Sequence, residues 1–264
     1  MNKINSNTKS GTFIVTDNQQ LSSTYSLLIL RPEDDIDLKL ADFKAGQFVE
    51  VLPPANSTFL RRPISVCNVD ETTNTLWLLI RDAGAGTHAL NASRPGQKID
   101  IIYPLGHGFS TTLPKASKVL LIGGGVGVAP LIYLGRKLKE AGIEPIFLLG
   151  ARSKSDLLLL DKFNEIGKVF CSTDDGSFGT PGVVTQNPVI NDNYDIMFTC
   201  GPMPMMKAVA KVAQQNNVEC EVSLENVMGC GLGACLCCVE KTKDEGNVCV
   251  CTEGPVFNIK RLLW

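Results

Sequence analysis

Ten cysteines occur in this chain of 264 residues, and six of them fall between Cys230 and Cys251. The other four (Cys67, Cys171, Cys200 and Cys220) are scattered. A disulfide framework would be spread along the chain, so the local crowd reads as a metal site. Cys230, Cys235 and Cys238 stand at C-x4-C-x2-C, the ligand spacing of plant-type [2Fe–2S] proteins. Such a cluster needs a loop that wraps it and turns backbone N–H groups towards its sulfurs. Gly231, Gly233 and the small Ala234 permit the tight turns this requires. A four-cysteine zinc site is the rival, but zinc favours paired C-x2-C knuckles. Here one such pair, Cys235 and Cys238, is joined to an x4 step. Spacing alone leaves the fourth ligand open between Cys249 and Cys251. Cys237 points away from the side of Cys238 if the chain is extended there.

A second group of residues suits phosphate. Gly123-Gly-Gly-Val-Gly127-Val-Ala-Pro130 follows an apolar run and precedes a helical pattern. That order brings backbone amides and a helix start to an anion, with Gly124, Gly125 and Gly127 as candidates. It is not the G-x-G-x-x-G fingerprint, and glycines after a strand also serve plain turns. Cys200-Gly201-Pro202 ends a later strand of the same expected sheet, where parallel sheets bind ligands. Cys200 either faces a nicotinamide ring, as the candidate catalytic residue, or is a buried structural cysteine. A third group is Arg61-Arg62-Pro63-Ile64-Ser65, followed by Gly84-Ala-Gly86-Thr87. An arginine held by a proline-restricted backbone suits a pyrophosphate. The Ser65 hydroxyl, on the same strand face as Pro63, suits a flavin ring nitrogen. Gly86 and Thr87 would open a short helix towards the remaining phosphate oxygens. Taken alone, this third group would be an ordinary surface strand. His88 and His107 lack Ser/His/Asp company and read as structural.

The elements that must position these groups fall into two textures. Thr12–Val15, Tyr25–Leu30, Gln47–Leu52, Pro63–Cys67, Leu76–Arg81 and Lys98–Tyr103 predict strands of a small antiparallel barrel. Beyond Pro114, strands are expected at Val119–Ile122, Ile146–Leu149, Val169–Ser172 and Ile196–Thr199. Helices are expected over Ala129–Ala141, Asp156–Glu165 and Pro202–Asn216. That alternation predicts a parallel sheet. From Glu225 onward the chain looks irregular and in need of metal ligation to hold it. The expected division is a barrel over 1–110, an α/β domain over 111–224 and a cysteine segment over 225–264, with the first boundary near 104–117.

Composition excludes several classes. A net charge of −2 gives no bulk attraction to nucleic acid, and the 44% hydrophobic and 20% charged contents are those of a soluble protein. Apolar runs such as Leu157–Leu160 are too short to span a bilayer. The polar start of the chain has no apolar core, so no secretory signal is expected, and a cytoplasmic location follows.

The order R-P-I-S, G-T, G-G-G-V-G-x-A-P, C-G-P and a cysteine cluster ending in E-G-P-V-F resembles the ferredoxin–NADP reductase superfamily. Within it, the chain is similar to the electron-transfer subunits of type B dihydroorotate dehydrogenases, over essentially its whole length. The most specific part runs from Glu225 through Cys238, joined to Cys251-Thr-Glu-Gly-Pro-Val-Phe257. The resemblance implies FAD at Arg62, Pro63, Ile64, Ser65, Leu79, Ile80, Arg81, Gly86 and Thr87. It implies a nicotinamide nucleotide at Gly124 to Gly127 and at Cys200, Gly201 and Pro202. It favours Cys251 as fourth ligand beside Cys230, Cys235 and Cys238. The implied chemistry carries electrons from an FMN-containing catalytic subunit through [2Fe–2S] and FAD to NAD⁺ in pyrimidine synthesis, in a heterotetramer of two copies of each chain. The cysteine loop and Leu262-Leu263-Trp264 are the candidate partner surfaces, with a core position for the terminal tryptophan as the equal alternative. Related subunits of NAD(P)H-dependent ferredoxin or sulfide oxidoreductases are the alternative. Arg152 leaves NAD against NADP open.

Overall fold

The computed structural model describes residues 7–33, 43–54 and 58–264. Contacts divide the chain into two units. One comprises Met1–Gly108, Asn226–Glu240 and Asn247–Pro255. The other comprises Phe109–Glu225, Lys241–Gly246 and Val256–Trp264.

In the first unit, short runs of β-branched and aromatic residues broken by Asn, Asp and Gly pair into a closed antiparallel barrel. Its strands are β1 (Lys9–Gln20), β2 (Tyr25–Pro32), β3 (Phe48–Val51), β4 (Arg62–Asp70), β5 (Thr75–Arg81) and β6 (Lys98–Leu105), in the order β1-β2-β5-β4-β3-β6. All six expected strands are present. Several run longer than their apolar runs, because ladder bonds continue through polar residues, as where Lys9–Gly11 pair with Ile101–Tyr103. Residues directly opposite in a ladder share a face. Val49 faces Ile64, and Val66 faces Leu78, on the inward side, where Val49, Val66 and Leu78 are fully buried. Phe48 faces Ser65, and Glu50 faces Pro63, on the outer side. The helix α1 (Ala85–Asn91) follows β5, so Gly86 and Thr87 lie in its first turn.

The second unit is a seven-stranded sheet in the order β10-β9-β8-β7-β11-β12-β15. It contains β7 (Val119–Gly124), β8 (Pro145–Ala151), β9 (Lys168–Thr173), β10 (Thr180–Pro181), β11 (Ile196–Cys200), β12 (Glu219–Ser223) and β15 (Val256–Asn258). Six strands run parallel; β15 lies antiparallel to β12. The helices α2 (Ala129–Glu140) and α4 (Met203–Gln215) occupy the predicted spans. Over Asp156–Glu165 the expected single helix is instead a 3-10 turn at Lys154–Asp156 and the short α3 (Leu160–Ile166). Leu159 separates them with φ 54°, a left-handed backbone that ends one turn before the next begins. The strands β10, β12 and β15 were not legible as apolar runs. Glu219–Ser223 alternates Glu with Cys and Val, and its polar residues mask it.

The segment after Glu225 holds more regular structure than its composition suggests. It forms the hairpin-like pair β13 (Val239–Lys241) and β14 (Asn247–Cys249), the turn of helix α5 (Val250–Glu253), and then β15. In the C-terminal run Leu262 is fully buried and so unavailable to a partner, Leu263 is exposed, and Trp264 is half-buried with its ring 5.8 Å from Lys207 Nζ on α4.

Candidate electron-transfer site

Four of the six clustered cysteines are drawn together by backbone N–H groups. Gly231 at φ 67° and Gly233 at φ 78° take left-handed turns that residues with a Cβ rarely adopt. Those turns aim Leu232 N–H and Cys235 N–H at Cys230 Sγ, each at 3.4 Å. Gly233 N–H donates to Cys251 Sγ at 3.1 Å, and Cys251 N–H to Cys238 Sγ at 3.4 Å. Cys230, Cys235, Cys238 and Cys251 thus form one knot across the two ends of the segment. Amides converging on sulfur are the environment an anionic iron–sulfur cluster needs, so this donor set fits the group. Among the described residues, no three His, Cys, Asp or Glu side chains are arranged to hold a single ion. The N–H of Cys237 leads the causes that push the Cys235 thiol down to about 6, while burial pushes that of Cys251 up. Cys237 is exposed, with its Sγ 3.9 Å from Cys235 O, and Cys249 is buried at the end of β14. Leu236 (62% exposed) and Val227 (80% exposed) leave an apolar rim on this loop.

On the barrel, Arg62, Pro63, Ile64 and Ser65 form the half-buried start of β4, where a ligand can reach them. Arg62 and Gly86 meet: a Cβ on Gly86 would stand 2.6 Å from Arg62 Nε. Strand and helix start therefore build a single cradle, open only because residue 86 is glycine, and its guanidinium and amides suit a pyrophosphate. The Thr87 hydroxyl is engaged locally, accepting from Ala83 N–H at 2.9 Å and donating to Gly84 O at 3.1 Å. Leu79 and Ile80 are buried side chains on β5, so only their backbone is available to a cofactor; Arg81 is exposed. His88 pairs with Asp82 at 2.8 Å beside the same helix.

In the second unit, strand order reverses between β7 and β11, and ligands of open parallel sheets bind at the carboxyl ends beside such a switch. Both nucleotide motifs lie there. A Cβ on Gly127 would stand 2.4 Å from Gly201 Cα, and one on Gly201 would stand 3.0 Å from Gly124 O. Gly125 takes φ 56° as the chain turns into a 3-10 helix over Gly125–Val128. Pro202 is exposed at the start of α4. Cys200 is 8% exposed, and burial pushes its thiol up to about 12, so it is a neutral thiol. Ser223 hydrogen-bonds to it, and Glu225 lies near enough to raise it further. Sequence reasoning missed both residues, since a lone Ser and Glu carry no spacing signal; parallel register sets Ser223 beside Cys200. It also missed Glu50, whose carboxyl burial pushes up to about 7 against the opposing charges of Arg61 and Arg62.

An antiparallel barrel, a doubly wound sheet with a glycine turn at its switch point and a four-thiol loop together define a ferredoxin-reductase-type electron-transfer protein. A solved structure described as the NADH-dependent reduced ferredoxin-NADP oxidoreductase superposes with a TM-score of 0.81 and 27% identity, over 96% of this chain and 90% of that one. The cytochrome b5 reductase domain of Ulva prolifera nitrate reductase shares the fold, with a TM-score of 0.63 and 17% identity over 79% of this chain and 94% of that one. Residues 225–263 match the iron-sulfur cluster binding domain of dihydroorotate dehydrogenase B. The dihydroorotate dehydrogenase B (NAD(+)) electron transfer subunit of Shouchella clausii is 41% identical, covering 81% of this chain and 84% of its own length. That of Bacillus cereus strain G9842 is 40% identical, over 81% and 85%. The chain belongs to the family of dihydroorotate dehydrogenase B electron transfer subunits.

Proposed function

We propose that this chain carries electrons between the catalytic subunit of a dihydroorotate dehydrogenase and NAD⁺, using one [2Fe–2S] cluster and one FAD. The observation that carries the reading is the N–H···S knot of Cys230, Cys235, Cys238 and Cys251 in a chain with both reductase units. When bound, the cluster supplies one-electron transfer, and the flavin converts single electrons into hydride chemistry. The four cysteines hold the cluster as thiolates. Arg62 and the α1 start hold the FAD pyrophosphate, and Ser65 orients the ring. Gly124, Gly125 and Gly127 let the nucleotide approach the backbone, and Gly201 and Pro202 close the other side. Cys200 meets the nicotinamide as a neutral thiol, packing against the ring without competing for its charge.

The partner is an FMN-containing catalytic subunit that oxidises dihydroorotate in pyrimidine synthesis, in a complex of two copies of each chain. Among the described residues no helix is long and apolar enough to cross a membrane, and the reading places the complex in the cytoplasm. The apolar rim at Val227 and Leu236 supports docking of the partner against the cysteine loop. A ferredoxin or sulfide oxidoreductase subunit is the second reading, favoured by the near full-length likeness to the ferredoxin-NADP oxidoreductase structure. Purification with co-expressed partner genes, followed by a visible spectrum and iron and flavin analysis, tests the proposal. Two irons and one FAD per chain are expected; a colourless, iron-free protein would sink it.

A further inference from the structure

Met205 covers both nucleotide turns, yet none of the proposed contacts uses it. It lies half-buried in the first turn of α4, where every residue from Pro202 to Met206 is apolar. A Cβ on Gly124 would stand 2.7 Å from Met205 Sδ, and one on Gly201 would stand 2.7 Å from Met205 Cε. The thioether therefore lies across the seam between the glycine turn and the C-G-P turn, on the faces that both glycines leave open. The seam is narrow and floored by backbone, since the same Cβ on Gly201 would come within 3.1 Å of Gly124 N. Register explains the placement: Cys200 pairs with Gly123, so the two strands end side by side and the first turn of α4 reaches the glycine turn. A leucine would fill such a gap without a reactive atom. A thioether fills it with one that peroxide oxidises.

We propose that Met205 is a redox modification site that gates the nucleotide seam: hydrogen peroxide converts its thioether to the sulfoxide and closes the site, and dithiol-dependent methionine sulfoxide reductases reopen it. The inference rests on the proposed nucleotide site. In the oxidation, a sulfur lone pair attacks one peroxide oxygen, the O–O bond breaks, an S–O bond forms and water leaves. Sulfur gives up two electrons and the peroxide takes them. In the return step the sulfoxide oxygen leaves as water while two thiols become a disulfide. Reduced flavoproteins release hydrogen peroxide when dioxygen takes their electrons, so the oxidant belongs to the chemistry proposed for this chain. The sulfoxide replaces an apolar surface by a polar one. Its oxygen is an acceptor set on the backbone that the nucleotide phosphate is to meet, and an uncompensated polar group there weakens a ligand about tenfold.

Limited treatment of the purified holo-subunit with hydrogen peroxide tests this, with tandem mass spectrometry to locate the added oxygen and calorimetry to follow NADH. Protein carrying Met205 sulfoxide should bind NADH about tenfold more weakly, with iron and FAD content unchanged. Methionine sulfoxide reductases for both epimers should restore the affinity. Met205→Leu should hold its own starting affinity through the same treatment. Met203→Leu, which alters the half-buried methionine of the same turn and keeps the thioether at 205, should lose affinity as wild type does. Unaltered NADH binding in protein oxidised at Met205 would overturn the proposal. So would an equal loss in Met205→Leu, which assigns the damage to another group, or loss of the cluster at doses that leave Met205 intact. Untreated wild type that fails to bind NADH would instead overturn the nucleotide site on which the inference rests.

Discussion

A sulfur accepts hydrogen bonds far better as a thiolate than as a thiol, so amides aimed at cysteines matter most once a cluster has displaced their protons. That difference separates Cys251 from Cys249. Cys251 Sγ receives the Gly233 N–H at 3.1 Å, and its own N–H reaches Cys238 Sγ, so it is tied to both halves of the loop. Cys249 ends β14, two residues earlier, where a strand residue and its next-but-one neighbour would share a face; the turn into α5 breaks that relation. Replacing Cys251 by Ser should reduce bound iron to a small fraction of wild type, with loss of the visible iron–sulfur bands. Cys249→Ser should keep both. Loss of iron in Cys249→Ser with retention in Cys251→Ser would reverse the assignment.

At the scale of elements, each proposed cofactor surface is a place where two pieces of chain come too close for a side chain. Gly86 leaves room for Arg62, Gly231 lies on Glu50, and Gly127 abuts Gly201. The last is the tightest test, because the neighbour is backbone and cannot swing aside. A Cβ at residue 127 would lie 2.4 Å from Gly201 Cα, forcing the glycine turn and the β11 end apart. Overpacking of this kind costs about 1–3 kcal/mol, which converts to about a 5- to 150-fold loss in affinity for a ligand held by both turns. Gly127→Ala should therefore raise the dissociation constant for NADH about fivefold or more, measured by titration calorimetry. FAD content should be unchanged, since the barrel contacts lie in the other unit. Unchanged NADH affinity would remove the switch point from nucleotide binding.

For the whole molecule, the proposed division of labour follows from what the two units offer. The proposed flavin cradle, nucleotide turn and thiol loop all belong to this chain, and the proposal assigns the base for dihydroorotate to the partner. The isolated holo-subunit should oxidise NADH with an artificial one-electron acceptor. It should leave dihydroorotate untouched until the catalytic subunit is added, when dihydroorotate-dependent NAD⁺ reduction appears in the nucleotide absorbance. Turnover of dihydroorotate by the isolated chain would overturn this division. A partner complex that reduces ferredoxin or sulfur species in its place would favour the second reading.

Local chemistry made much of this legible from residues alone. C-x4-C-x2-C with intervening glycines dictates its own turns, six β-rich runs with polar breaks declare a barrel, and glycines between an apolar run and a helix declare a sheet's carboxyl end. These signals are short-range, so they survive without knowledge of the fold. What only tertiary structure decided concerns groups far apart in sequence. Cys251 joins Cys230 and Cys238 because the hairpin of β13 and β14 folds back between them. Arg62 meets Gly86 across the barrel rim, and Gly127 meets Gly201 because β7 and β11 are neighbours. Ser223 reaches Cys200 through parallel register, and Leu262 is drawn into the core rather than left for a partner. Glu50 is the plainest case: in sequence it is one acidic residue within a strand, and only the loop laid over it turns it into a buried carboxyl whose Oε1 lacks a hydrogen-bond partner.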